Sequence, residues 1–203
     1  YNRAVYHFND RFYFWALKPA AQGYKNVMPQ PARRGIRNFF TNLSAPVRLV
    51  NCVCQGKFND AGVVLGRFGV NSTLGVLGFR DFAERYESLA EVQDEDAGQT
   101  LGVWGIGNGV YVALPLLGPS TLRDAVGRVG DSFLNPVSYL EPWYASPAVK
   151  LGEEVNRTSL RLGQYEAFKA SAVEPYSALR DAYVQHRRAK VRDERGEKKA
   201  FKR

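Results

Sequence analysis

Residues 97–122 run for twenty-six positions without a charged side chain, and this stretch constrains the fold more than any other. Its length would cross a bilayer, for which a helix needs about twenty apolar residues. Its content would not: Gly98, Gly102, Gly105, Gly107, Gly109, Gly118, Asn108 and Pro115 interrupt it, and each interior glycine weakens a helix by ~1 kcal/mol relative to alanine. Broken backbone survives at membrane depth only where protein or a water-filled cavity takes up its hydrogen bonds. Two readings fit: a loop with a short extended piece around Tyr111 to Leu114 beside a cavity, or a plain buried loop in a soluble protein.

The flanking sequence is patterned for helices. Val5, Phe8, Phe12 and Trp15 recur at helical spacing, and Pro19 predicts an end by Lys18. Pro31 suits a first turn; Ile36, Phe39, Phe40 and Leu43 make the stripe of that helix, opposite Arg33, Arg34 and Arg37. A third helix is expected from Ser44 as cap to Gly56, with Val47, Val50 and Cys54 on one side. Asn59 or Asp60 is the expected cap of the next, where Ala61, Leu65 and Phe68 share a face and Gly62, Gly66 and Gly69 leave another thin enough for close approach. The acidic stretch 80–96 reads as a hydrated turn region with a short helix. Ser120 is the expected cap of a helix carrying Leu122, Ala125, Val126, Val129 and Phe133. Pro136, Pro142 and Pro147 make turns around Trp143 and Tyr144, and helices are expected at about 148–169 and 175–192. The expectation is one all-α domain over 1–186 and a basic, flexible tail over 187–203.

That tail holds nine Lys or Arg against three acids, most of the formal net charge of +8. A basic end attracts anionic headgroups, nucleic acid or acidic protein alike. The first forty residues are basic as well, seven Lys or Arg to one acid, but interleaved with Tyr and Phe, a mixture suited to a headgroup interface. Nucleic-acid binding is disfavoured because the uncharged aromatic flanks suit hydrocarbon better than a hydrated groove. Cys52 and Cys54 are two positions apart on a predicted helix and point away from each other. They and the two histidines, His7 and His186, give no four-ligand metal set. No phosphate-loop string and no nucleophile elbow occurs. No cofactor, metal or catalytic residue is therefore expected. The chain opens at Tyr1 inside patterned sequence, so any targeting or lipidation signal is expected upstream.

Several strings then occur in order: Tyr6-His7-Phe8-Asn9, Val27-Met28-Pro29-Gln30-Pro31-Ala32-Arg33 with Gly35, Asn38-Phe39 with Asn42-Leu43, and Arg67-Phe68 with Asn71-Ser72-Thr73-Leu74-Gly75. Gly78-Phe79 with Asp81, Gly98-Gln99-Thr100-Leu101-Gly102, Gly107 and Gly109 with Tyr111, Leu114-Pro115-Leu116 with Gly118, and Thr121-Leu122-Arg123-Asp124 follow. Together they resemble the successive signatures of the MlaA/VacJ family over about residues 1–185. The resemblance implies a ring-like helical lipoprotein in the inner leaflet of the outer membrane, with an N-terminal lipid anchor and a central amphipathic channel. It implies association with a trimeric porin, and delivery of phospholipid mislocalised to the outer leaflet to the periplasmic carrier MlaC. A scaffold that holds a porin without carrying lipid is the alternative.

On this reading the channel wall is expected in 60–78 and 98–118, with Asn71, Ser72, Thr73, Gly75, Gln99, Thr100, Gly107 and Asn108 along the lipid path. Asn9, Arg11, Phe12 and Trp15, with Arg33, Arg34 and Arg37, are candidates for the membrane interface or for gating. Tyr176, Leu179 and Tyr183 are candidate contacts with a partner or with the ring itself.

Overall fold

The computed structural model of the chain describes the backbone of residues 1–200 and the side chains of residues 1–192. Helix dominates: α1 (Asn2–Phe12), α2 (Lys18–Val27), α3 (Gln30–Leu43), α4 (Ala45–Gln55), α5 (Phe58–Thr73) and α6 (Ala97–Val103) precede a small hairpin of β1 (Tyr111–Leu114) and β2 (Gly118–Thr121). After it come α7 (Leu122–Ser132), α8 (Ala145–Leu160), α9 (Gln164–Ser171) and α10 (Pro175–Ala200). The extended piece expected near Tyr111 is present, paired antiparallel so that Tyr111 faces Thr121 and Leu114 faces Gly118. The fold is all-α apart from this hairpin.

Local chemistry overrode several expected boundaries. Pro19 does not end the first helix: a π-helical turn, Tyr13–Leu17, carries α1 directly into α2. A proline lacks the N–H and crowds the carbonyl four residues back, and a wider turn just before it removes both conflicts. The helix expected over 148–169 divides at Gly163, whose φ of +92° glycine adopts without a steric penalty. Ser44 stands at the start of α4 but its hydroxyl donates to Thr41 O, and Lys57, not Asn59 or Asp60, precedes α5. Thr121 rather than Ser120 caps α7, accepting from Asp124 N. Residues 80–96 hold two short 3₁₀ turns, Ala83–Arg85 and Glu87–Leu89.

The boundary expected at 187 lies inside α10, and Arg187 and Val191 are buried. The packed body therefore extends at least to Val191. The rest of the expected tail, from 193 on, lies outside the described side chains.

Neighbour relations close into a circuit. α1 continues into α2, α2 packs on α8, α8 on α3, α3 on α4, α4 on α6, α6 on α7 and α10, α10 on β2, and β1 on α1. Asn2 and Asn9 clamp the last joint: Asn2 Nδ2 donates to Tyr111 O while its oxygen accepts from Ala113 N, and Asn9 does the same with Leu114 O and Leu116 N.

Polarity is inverted relative to a water-soluble domain. Among the described residues eighteen buried side chains are polar or charged and thirteen are apolar. The fully apolar core is a small cluster of Ala45, Cys52, Ala61 and Val64. Large apolar groups instead point outward, among them Trp15, Phe58, Trp104, Val110, Leu117 and Phe133, and Trp143 is 85% exposed. Exposed apolar surface on this scale marks a lipid or protein contact. Among the described residues no helix is long and apolar enough to cross a membrane.

Candidate functional site: an amphipathic cavity on a polar frame

The frame begins where α6 crosses α7. Gly98 and Gly127 bring the two backbones so close that a methyl on Gly127 would lie 2.3 Å from Gly98 N. Around that crossing Arg187 of α10 donates to both Asp96 and Asp124, at 2.6 to 3.1 Å. Tyr183 OH and Arg123 also donate to Asp124. Burial by itself would raise the Asp96 carboxyl, but the hydrogen bonds and charge of Arg187 outweigh it and hold it at about 2. The same cation keeps Asp124 below its ordinary value against the effect of burial. Asp131 goes the other way: burial raises it, and its bonds from Asn51 and Ala97 N only partly compensate.

A second set of bonds ties α4 to α6. Thr100 Oγ1 donates to Asn51 Oδ1 and accepts from Gln55 Nε2, while Gln55 also donates to Glu95. Unpaired polar groups in such a place would cost about 1–3 kcal/mol each, so this set fixes how α4 meets α6, and the Asn51–Asp131 bond joins it to the set around α7 and α10.

Beside this frame lies a cavity of about 410 Å³, bounded by α3, α4, residues 94–95, α7, the 3₁₀ turn Pro136–Tyr139 and α8. Its volume is within the ~300–1,000 Å³ range of small-molecule sites. Phe40, Leu43, Val47 and Val137 give it apolar edges. Four cations line it, Arg48, Arg128, Lys150 and Arg157, and four acids, Asp94, Glu95, Asp131 and Glu153. Most of the acids are engaged: Glu95 by Lys57 at 2.8 Å, Asp131 by Asn51 at 2.9 Å, and Glu153 by Arg157 at 2.7 Å. Asp94 is mostly exposed and touches Arg48 at 3.5 Å. Arg128 and Lys150 have no carboxylate partner among the described residues, reaching only Leu117 O, Pro119 O and Ser138 Oγ at 3.3–3.4 Å. The wall thus offers cations to an anion and apolar surface to a chain. A larger groove of about 660 Å³ beside α2 is lined by Lys18, Gln22, Lys25, Asn26, Leu162, Gly163 and Glu166, with Lys18 already paired to Glu166 at 2.8 Å.

The residues expected along the lipid path do not line this cavity. Asn71 is buried, donating to Asp81 and accepting from Ala83 N. Ser72 accepts from Asn42, and Thr73 is exposed with its hydroxyl returned to Gly69 O. Gly75 fills a turn where a methyl would meet Arg80 O. Gln99 is fully buried, donating to Asp94 O and Asp96, and Thr100 belongs to the polar frame. Gly107 and Asn108 sit on a separate groove beside Arg188 and Arg192. Capping and backbone satisfaction took these polar groups. The thin face expected of Gly62, Gly66 and Gly69 meets only Leu89, at Gly66; the close crossing falls at Gly98 and Gly127.

Among the interface candidates, Arg11 and Trp15 are exposed and Phe12 is half-buried, whereas Asn9 holds the hairpin. Arg34 and Arg37 are exposed. Arg33 is not: it donates to Met28 O and Ser159 and joins α3 to α8. Tyr176 is buried against Tyr6, Leu179 is half-buried, and Tyr183 is bonded to Asp124, so these three pack within the circuit. Arg48, Asp94, Arg128 and Lys150 were missed. One signal was available: Arg48 is the lone charge in the helix Ala45–Gln55, and a single charge on an apolar helix needs either a partner or a wet cavity.

Inverted polarity around a charged, apolar-edged cavity defines an all-helical protein built for an apolar surround. Residues 1–190 match the family model of the MlaA lipoprotein. The chain is 33% identical over 203 residues to the intermembrane phospholipid transport system lipoprotein MlaA of Haemophilus influenzae, covering 95% of this chain and 78% of that protein. It is 35% identical to the protein of the same name from Escherichia coli K12, over 91% of this chain and 74% of that one. A solved structure described as "Structural basis for maintenance of bacterial outer membrane lipid asymmetry" superposes with a TM-score of 0.83 at 31% identity, covering 94% of this chain and 96% of that chain. The chain belongs to the MlaA lipoprotein family, which is not a family of enzymes.

Proposed function

We propose that the chain is a passive phospholipid conduit: it takes phospholipid mislocalised to the outer leaflet of the outer membrane and hands it to a soluble periplasmic carrier of the MlaC type. In this reading it sits in the inner leaflet, held by an N-terminal lipid anchor and by a trimeric porin. The observation that carries the proposal is the half-open, charged and apolar-edged cavity in a molecule that turns large apolar side chains outward. The names of its relatives support the same reading. A phospholipid changing leaflets must bring a charged headgroup through hydrocarbon, where an unpartnered charge is costly. A wall with cations for the phosphate and apolar edges for the glycerol and acyl groups lowers that barrier. Direction comes from removal of lipid by the carrier.

We place the lipid path at the cavity rather than along 60–78 and 98–118. Ser132→Trp and Leu43→Trp, which fill the cavity, should abolish most transfer of labelled phospholipid between leaflets of reconstituted vesicles while leaving unfolding unchanged. Undiminished transfer by these folded variants would favour a scaffold that holds a porin and carries no lipid.

A further inference from the structure

Resting on that reading of the cavity, we infer that Arg48 and Asp94 form a headgroup station that prefers zwitterionic, ethanolamine-type phospholipids over anionic ones. Arg48 is buried against the cavity wall with its guanidinium only partly used. One Nη donates to Thr41 O at 2.8 Å, the other meets Asp94 at 3.5 Å, and Nε has no hydrogen-bond partner. The fork geometry of a guanidinium matches a phosphate; Nε is closed to solvent, so the Nη held only loosely by Asp94, at 3.5 Å, is the donor a phosphate would take. Asp94 has a side chain 74% exposed and makes the looser end of this pair. Lys190 Nζ donates to the Asp94 carbonyl oxygen at 3.3 Å, while the exposed carboxylate itself pairs with Arg48 at 3.5 Å, so a ligand ammonium can approach that carboxylate from the cavity.

The pair therefore presents a positive and a negative group side by side on one wall. An ethanolamine headgroup carries the opposite pair on one short linker: phosphate for Arg48, ammonium for Asp94. Each charge then exchanges a long contact for a full one. A glycerol headgroup supplies the phosphate but leaves Asp94 facing a net anion. The other acids of the wall cannot substitute for Asp94, because Lys57, Asn51 and Arg157 hold them. Arg128 and Lys150 add attraction for any phosphate and favour a net anion, so Asp94 is the group that turns the preference toward ethanolamine.

The test is native mass spectrometry of phospholipid retained by the full chain after release from nanodiscs of equimolar dioleoyl phosphatidylethanolamine and phosphatidylglycerol. The unaltered chain should retain more ethanolamine lipid, and Asp94→Asn should lower the ethanolamine to glycerol ratio by about threefold to tenfold, the worth of one ordinary net hydrogen bond at this exposed carboxylate. Arg48→Gln should reduce both lipids together. Because Asp94 is exposed, its variant should fold even if the one at Arg48 does not, and matching unfolding curves check this. An unchanged ratio in Asp94→Asn with lipid still retained overturns the station and leaves the conduit standing. No retained lipid in the unaltered chain removes the conduit and the station together.

Discussion

Single residues set two kinds of limit here. At Gly127 an added methyl would press on the Gly98 backbone at 2.3 Å, whereas nothing lies within 4 Å of one added at Gly62. Gly127→Ala should therefore destabilise by about 1–3 kcal/mol through overpacking. Gly62→Ala, on an open helix face, should stabilise by up to ~1 kcal/mol; denaturant unfolding in detergent compares them. Equal effects at the two sites would mean that the α6–α7 crossing is not close-packed. The three arginines of α3 separate in the same way. Reversing the exposed Arg34 and Arg37 to Glu should weaken binding to anionic liposomes by about fivefold per charge neutralised, the effect of ~1 kcal/mol for each base near such a surface. Arg33→Gln should instead loosen α3 from α8, seen as a lower melting temperature with little change in liposome binding. Sequence gave all three the same face, because spacing fixes direction around a helix but not which helix arrives next to it.

At the scale of elements, Arg187 is the cation that ties α10 to two carboxylates, beside the Tyr176 and Tyr183 contacts. Arg187→Met would leave Asp96 without its cation and Asp124 with Arg123 alone, a change that should cost up to about 3 kcal/mol. It should appear as faster amide exchange across α10 and β2. The same pair sets an acid limit. Asp96 is held at about 2, below its usual 3.8, so its contribution is complete above about pH 4 and is lost as pH falls from 4 towards 2; Asp124 acts in the same direction. Asp131, with a raised value, opposes them. The melting temperature should fall across that window, and less so in Arg187→Met. Periodicity made most helices legible, since apolar stripes on α1, α3 and α7 follow the turn of the helix. The continuation through Pro19 was not legible, because it depends on a π-helical turn that no residue pattern announces. Nor was the inclusion of Arg187: a basic run reads as solvated until a buried carboxylate, Asp124, and a half-buried one, Asp96, are brought to it from distant elements.

For the whole molecule, the 26-residue uncharged stretch proved informative in a way its length alone did not suggest. Its glycines let α6 cross α7 closely, while its apolar side chains, Trp104, Ile106, Val110, Leu116 and Leu117, stay on the outside. The polar residues between them, Gln99 and Thr100, turn inward to the frame. Alternation between inward polar and outward apolar groups is the reverse of a soluble loop, and it predicts what holds the chain at a membrane. Fully transferring a leucine-sized side chain from water is worth ~1.5–3 kcal/mol. Replacing Ile106, Val110, Leu116 and Leu117 together by Ser should therefore lower partitioning into uncharged phosphatidylcholine vesicles by at least about a hundredfold. Flotation of the chain with such vesicles measures this, and the loss should persist at high salt, since apolar contact is not screened as surface charge is. Leu116 has φ of +61°, a strained value for a branched side chain, so its replacement does not endanger the hairpin that Asn9 clamps. Undiminished flotation of the folded quadruple variant would mean that this surface meets protein instead of acyl chains.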